Sequence, residues 1–166
     1  MIKKKICVLG SFAVGKTSLI ERYINSIFSD KYHTTIGVKT DQKDLNINNT
    51  DIRLIIWDIN GEDDYQKVKP SYLIGAAGAL IIADITRKDT LEAAIKLNEL
   101  IKDTIGEKPI IFIINKDDLK HDWEITHEEI EDLKQKNYSV LLTSAKTGKN
   151  IEKAFTDLTK AIIGLH

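Results

Sequence analysis

The sequence has little that would stabilise a chain in an oxidising compartment or hold it in a membrane. Its one cysteine among 166 residues, Cys7, has no partner for a disulfide within the chain, and we expect a small buried thiol. No signal-peptide pattern follows Met1, and no apolar run approaches the length needed to cross a bilayer. Residues 163–166 offer no cysteine for prenylation. We therefore expect a cytoplasmic protein that reaches membranes only through a partner or through a tail not included here.

The chain also lacks a charge excess of either sign. It has 24 basic and 25 acidic residues and a formal net charge of −1. This balance argues against a nucleic-acid partner, since such proteins present broad basic surfaces. With 42% hydrophobic residues and no low-complexity stretch, the composition predicts one globular domain over residues 1–166.

Short apolar runs alternate with longer amphipathic stretches along the whole chain. Two strand-like segments, 41–47 and 51–57, flank Asn48-Asn49-Thr50 and indicate a hairpin with a polar edge strand. The alternation predicts an α/β fold with a mainly parallel sheet and one antiparallel edge strand. Ligands bind such sheets beyond the carboxyl ends of the strands. The four runs predicted as buried strands are 6–9, 79–83, 110–114 and 140–142. At two later helices, Thr126 with Glu129 forms a capping-box pattern, and Asn150 is placed as an N-cap.

The strongest motif occupies residues 10–17, with the sequence GSFAVGKT. It follows a predicted strand and precedes a predicted helix, which is the context of a phosphate-binding loop (P-loop). Glycines allow backbone N–H groups to surround phosphate oxygens, and the helix N-terminus adds its dipole. Lys16 is expected to reach the β- and γ-phosphates, and the Thr17 hydroxyl to bind Mg²⁺. The residues predicted to line the phosphates are Ser11, Phe12, Ala13, Val14, Gly15, Lys16, Thr17 and Ser18.

Two later segments indicate that the base is guanine. Residues 115–118, with the sequence NKDD, end the strongest apolar run. The Asp118 carboxylate can accept from the N1 and N2 donors of guanine, which adenine does not offer in that place. The segment TSAK at 143–146 follows the last strand and can direct a backbone N–H toward the base carbonyl. The predicted base-side residues are Asn115, Lys116, Asp118, Ser144, Ala145 and Lys146.

Two segments are placed to sense the γ-phosphate. Asp58 ends a predicted strand and is expected to hold Mg²⁺ through water, while the Gly61 N–H can bond the γ-phosphate. Thr35, in the loop after the first helix, is placed to reach Mg²⁺ and the γ-phosphate only when GTP is bound.

With these five segments in this order, the chain resembles the Ras superfamily of small GTPases over essentially its whole length. Segments 35–38, 57–58 and 71–76 make it most similar to the Rab branch or to Rab-like relatives, including prokaryotic ones. The resemblance implies a six-stranded sheet flanked by five helices and a cycle between GTP and GDP with Mg²⁺. It further implies effector, exchange-factor and activating proteins that bind through residues 32–40 and 60–74.

The resemblance also assigns individual roles. It places Phe28 against the guanine ring and Glu62 at the position of the family's water-orienting glutamine. An ionised glutamate can accept from the attacking water but cannot donate to a phosphate oxygen. A protonated one can do both. The residues it implies for catalysis are Glu62, Lys16, Thr35 and Gly61.

Two further departures from the family pattern leave the rate of turnover open. Phe12 stands where Ras has glycine, and its ring can obstruct an arginine supplied by an activating protein. Asn60 stands where alanine is usual. One hypothesis is a slow hydrolysing switch, and the alternative is a nucleotide-binding adaptor with little hydrolysis. A P-loop kinase or ATPase is disfavoured by residues 115–118.

Overall fold

The architecture is a single six-stranded sheet covered by helices on both faces. The structure is a computed structural model that describes residues 1–26, 37–59 and 68–165. The strand order is β2-β3-β1-β4-β5-β6, and only the edge pair β2–β3 is antiparallel. The predicted sheet is therefore confirmed. The strands are β1 (Ile2–Gly10), β2 (Val38–Ile47), β3 (Thr50–Ile59), β4 (Ala76–Asp84), β5 (Ile110–Asn115) and β6 (Ser139–Leu142).

The strands form where apolar runs become buried from both faces. Each of the four predicted strands is present, and each includes the predicted apolar run with up to four additional residues at either end. The hairpin joins β2 to β3 through Asn48 and Asn49, whose φ angles of 49° and 63° are both left-handed. Asparagine tolerates this conformation, which a two-residue turn between twisted strands requires. In β2 the side chains alternate in exposure, as the polar edge prediction demanded.

Two pairs of helices bury the two faces of the sheet. Four α-helices lie in the described ranges: α1 (Lys16–Asn25), α2 (Lys88–Ile105), α3 (His127–Gln135) and α4 (Ile151–Ile162). The α1–α4 pair packs on one face, where the rings of Tyr23 and Phe155 stack with centroids 3.9 Å apart. The α2–α3 pair covers the other face. The described residues also contain a short 3₁₀ helix, Pro70–Tyr72. They therefore contain four α-helices, one fewer than the five helices expected.

Helix ends test two of the capping predictions. At α3 the Thr126 hydroxyl accepts from the Glu129 N–H at 3.2 Å, and the Glu129 carboxylate accepts from the Thr126 N–H at 2.9 Å. The capping box is therefore confirmed. At α4, Asn150 occupies the cap position, but its side chain does not cap the helix. It instead donates to the carbonyl of Leu142 at 2.9 Å. A side chain caps a helix from an extended backbone, whereas Asn150 has a left-handed φ of 57°.

The switch in chain direction across the sheet positions the site. From β1 the chain runs to one edge of the sheet through β2 and β3, and it then returns to β4 on the other side of β1. A crevice forms at the carboxyl ends of strands where connections diverge in this way. None of the helices in 1–26, 37–59 and 68–165 combines the length and apolar character of a membrane span.

The capping box gives a stability prediction. We expect Thr126→Ala to lower the free energy of unfolding by about 1 kcal/mol, because the Glu129 N–H loses its acceptor. Urea unfolding of the GDP-loaded protein would measure the change. Glu131→Ala is the control, since Glu131 lies on the same helix and its ion pair with Lys134 is exposed. A Thr126 variant no less stable than this control would contradict the prediction.

Candidate nucleotide-binding site

The loop between β1 and α1 is held by hydrogen bonds to all of its backbone carbonyls. All six carbonyls from Gly10 to Gly15 accept a hydrogen bond from another part of the chain. The donors, in order along the loop, are Lys16 Nζ to Gly10 and to Ser11 (both 2.9 Å), Arg87 Nη2 to Phe12 (2.8 Å), Lys116 Nζ to Ala13 (2.9 Å), Asn115 Nδ2 to Val14 (2.9 Å) and the Leu19 N–H to Gly15 (2.8 Å). Because these carbonyls are bonded, the peptide units of the loop are fixed and their N–H groups keep a defined direction. A loop with N–H groups fixed in this way can bind an anion.

The two motif glycines are required by space as well as by conformation. A Cβ added at Gly15, where φ is 101°, would lie 2.5 Å from Asn115 Nδ2. A Cβ at Gly10 would lie 2.5 Å from the carbonyl oxygen of Ile82. Real Cβ atoms do not approach other atoms so closely, so the loop can lie against β4 and β5 only with glycine at both positions.

Lys16 lies at the start of α1 with its ammonium group inside the loop. Its side chain is 7% exposed, and its two acceptors are the carbonyls of Gly10 and Ser11. Burial is the main cause that lowers the pKa of the Lys16 ammonium to about 8; the Asp58 carboxylate opposes this shift, and the charge of Arg87 adds a smaller lowering that is included in that value. A buried ammonium held by two neutral carbonyls is a group for which an anionic ligand would provide a stronger partner.

The first turn of α1 also brings a hydroxyl to a carboxylate. Thr17 Oγ1 donates to Asp58 Oδ2 at 2.5 Å, and Asp58, at the end of β3, is 1% exposed. Hydroxyl and carboxylate oxygens are ligands that Mg²⁺ prefers, and the ion is usually held by one or two protein groups together with phosphates. In the described ranges there is no group of three or more His, Cys, Asp or Glu side chains able to hold a metal. Thr17 and Asp58 thus fit a magnesium ion completed by a ligand.

The side chain of Asn115 joins the loop to the base-side segments. It is 1% exposed. Its Oδ1 accepts a hydrogen bond from the Thr143 hydroxyl at 3.0 Å, and its Nδ2 donates to the carbonyl of Val14. Next to it, Lys116 has a left-handed φ of 67°, which turns its long side chain along the P-loop. The ends of β5 and β6 and the P-loop are therefore fixed relative to one another.

The carboxylate of Asp118 is oriented by the segment after β6. Ser144 Oγ donates to Asp118 Oδ1 at 2.7 Å and, at 3.1 Å, accepts from the N–H of Thr147. Ala145 is buried and Lys146 is exposed. The preceding acid, Asp117, has a different role, since it is buried against the ammonium of Lys149. Of the two neighbouring acids, Asp117 is therefore paired with a lysine, whereas the Asp118 carboxylate is oriented by a hydroxyl.

Asp84, at the end of β4, was missed by the sequence reasoning. It is 1% exposed, and its Oδ2 binds both Lys116 Nζ at 2.8 Å and Arg87 Nε at 3.2 Å. Burial raises the pKa of Asp84, but hydrogen bonds from Lys116 and Thr86 outweigh it and leave the pKa below its usual value. A polar residue that ends a buried strand, like Asp58 and Asn115, was the signal that could have identified it.

The described residues include most of the predicted site. One group lies in the P-loop or the first turn of α1: Ser11, Phe12, Ala13, Val14, Gly15, Lys16, Thr17 and Ser18. The other group lies within the last residues of strands or shortly after them at the same sheet edge: Asp58, Asn115, Lys116, Asp118, Ser144, Ala145 and Lys146. The predicted roles of Phe28, Thr35, Gly61 and Glu62, and the substitution Asn60, fall on residues outside those the structure describes.

Comparisons with known proteins agree with this geometry. A model of the Ras family matches residues 5–164. The human Ras-related protein Rab-4A is 36% identical over 164 residues, which are 96% of this chain and 74% of that protein. Ras-related protein Rab-21 of Geodia cydonium is 35% identical over 98% of this chain and 72% of its own length. Ras-related protein Rab-1 of Theileria parva is 34% identical over 95% of this chain and 73% of its own length.

The match covers every strand and helix that contributes to the site, from β1 to α4. Its residue range includes the P-loop, the Thr17–Asp58 pair and the base-side segments. On this evidence the chain belongs to the Ras family and is a Rab-like small GTPase.

Proposed function

We propose that this chain binds GTP and GDP with Mg²⁺, hydrolyses GTP slowly and recruits effectors in the GTP state. The observation that carries the proposal is the P-loop, whose six carbonyls all accept hydrogen bonds, three of them from Arg87, Asn115 and Lys116, which lie beyond the loop and α1. These three contacts fix the loop backbone before a phosphate arrives, and preorganised donors give more affinity than flexible ones.

Phosphate binding changes the partners of Lys16. In the structure its ammonium donates to two carbonyls of the loop, and a β–γ phosphate bridge offers anionic acceptors at the same end of α1. Thr17 and Asp58 would hold Mg²⁺, which neutralises phosphate charge when bound. The hydroxyl of Thr17 would offer a lone pair to the ion and would keep its O–H for Asp58.

Guanine recognition rests on the oriented carboxylate of Asp118. Its Oδ1 accepts from Ser144, and lone pairs remain on both oxygens for the two adjacent donors of guanine. Adenine presents no such pair of donors and would leave these remaining lone pairs of the carboxylate unsatisfied. Phe28 is proposed to lie against the ring from the other side.

Catalysis is assigned to residues beyond those described, together with Lys16. Gly61 and Thr35 are proposed to bond the γ-phosphate, and Thr35 also to bind Mg²⁺. Glu62 is proposed to accept from the attacking water. A carboxylate beside phosphate oxygens orients water but opposes the charge that develops on the phosphate, so turnover is expected to be slow. The exposed ring of Phe12, 41% accessible at the P-loop, adds an obstacle to an activating arginine.

Effector, exchange-factor and activating proteins are proposed to bind through residues 32–40 and 60–74. Part of this surface is described. Lys5 Nζ lies 3.6 Å from the ring centroid of Trp57 and donates to the carbonyls of Tyr72 (2.7 Å) and Ile74 (2.8 Å). Ile74 itself is 60% exposed. A firmly held backbone beneath an exposed apolar side chain is typical of a protein-binding surface.

Base selectivity can be tested without the catalytic residues. We expect the parent to bind GDP in preference to ADP, and Asp118→Ala to weaken GDP binding by roughly 100-fold, because two hydrogen bonds to a charged acceptor are lost. Isothermal titration with each nucleotide would measure this. Asp122→Ala, an exposed acid in the same loop region, should bind GDP like the parent. Equal affinities of the parent for GDP and ADP would contradict the assignment of guanine.

Hydrolysis is tested by single-turnover phosphate release from the GTP-loaded protein with Mg²⁺. We expect slow, measurable release from the parent and roughly tenfold faster release from Glu62→Gln, since the amide can accept from water and donate to phosphate at once. Glu131→Gln, on the exposed face of α3, is the matched control. No release from the parent over a day, with GTP verified as bound, would reject the switch in favour of a nucleotide-holding adaptor.

A further inference from the structure

Arg87 contacts the P-loop although it lies outside every segment of the recognised site. It follows β4 and precedes α2, and its Nη2 donates to the carbonyl of Phe12 at 2.8 Å. The loop carbonyls on either side of Phe12 are held by Lys16 and Lys116, so the Arg87 contact completes the series. Phe12 lies in the loop between β1 and α1, and its side chain is 41% exposed.

The guanidinium of Arg87 is fixed in place by a buried anion. Its Nε lies 3.2 Å from Asp84 Oδ2, and Asp84 is 1% exposed with its other oxygen held by the N–H and hydroxyl of Thr86. The backbone of Arg87 is held as well, since its carbonyl accepts from the Thr90 hydroxyl at 2.6 Å. A planar fork that binds a fixed carboxylate through one nitrogen has its other nitrogens directed without further loss of entropy.

We propose that Arg87 is a positioning residue for the phosphate loop. It holds the Phe12 carbonyl in its hydrogen bond, so that the loop N–H groups stay directed at the phosphates and the nucleotide is released slowly. The inference rests on the proposed nucleotide binding. The influence of Arg87 on the pKa of Lys16 indicates that its charge also reaches the phosphate-facing ammonium.

The alternative explanation of these contacts is that Arg87 forms only a surface ion pair. Exposed ion pairs contribute little, and the Arg87 side chain is 35% exposed. Its two acceptors argue against this, because one is a fully buried carboxylate and the other a backbone carbonyl of the P-loop. Loss of the guanidinium would leave both with one donor fewer.

The test compares the release of a fluorescent GDP analogue, with Mg²⁺ and excess GDP, from the parent, Arg87→Met and Lys88→Met. Both variants remove one positive charge at neighbouring positions, but Lys88 pairs with Glu129 and not with the P-loop. We expect release about tenfold faster from Arg87→Met, the loss of one hydrogen bond from a charged donor, and within about twofold of the parent from Lys88→Met. Equal rates from the two variants would overturn the proposal.

Two further readouts separate positioning from charge and from general loosening. Arg87→Lys keeps the charge but lacks the fork, so its release should stay several-fold faster than that of the parent. Release restored fully by lysine would show that charge alone acts, against the proposal. The preference for GDP over inosine diphosphate, which lacks the amine read by Asp118, should be unchanged in Arg87→Met. A reduced preference would mean that the effect passes through Lys116 and the base side, which also overturns it. A parent that binds no GDP would reject the proposed function instead.

Discussion

The side-chain amide of Asn115 is the contact on which the rest of the site depends. Its nitrogen donates to the P-loop carbonyl of Val14, and its oxygen accepts from Thr143 after β6. Removing either half would leave a buried polar group unpaired, at a cost of about 1–3 kcal/mol. Because a Cβ at Gly15 would collide with the same amide, the loop has little room to shift relative to β5.

Around that amide, the site concentrates charge within a chain that is almost neutral. The cations Lys16, Arg87 and Lys116 converge on the P-loop. Asp84, at the end of β4, binds Arg87 and Lys116, and the Asp58 carboxylate near the end of β3 acts on Lys16 through its charge. Parallel strands place their carboxyl ends at one edge, so residues far apart in sequence become neighbours there. Net charge therefore gives no hint of the local field that a triphosphate would meet.

Most of the fold and the central site were predictable from local patterns. Apolar runs identified the buried strands, two asparagines identified the hairpin turn, and glycine spacing identified the P-loop. Contacts between distant segments were not predictable, because no local pattern encodes them. Arg87 meets Phe12 across 75 positions of sequence, and the Asn150 amide reaches back to Leu142 where its residue type suggested a cap. The roles of Thr35 and Glu62 depend on residues that the structure does not describe.

Successive side chains of β3 point to opposite faces of the sheet, and this has an optical consequence. Asp58 contacts Thr17 on the α1 face, while Trp57 packs among side chains of the α2 face with the Lys5 ammonium close to its indole ring. A nearby cation alters the emission of an indole, and one peptide bond separates this indole from the carboxylate assigned to Mg²⁺. Any displacement of β3 on metal binding would change the fluorescence of Trp57, one of only two tryptophans in the chain, without an added label.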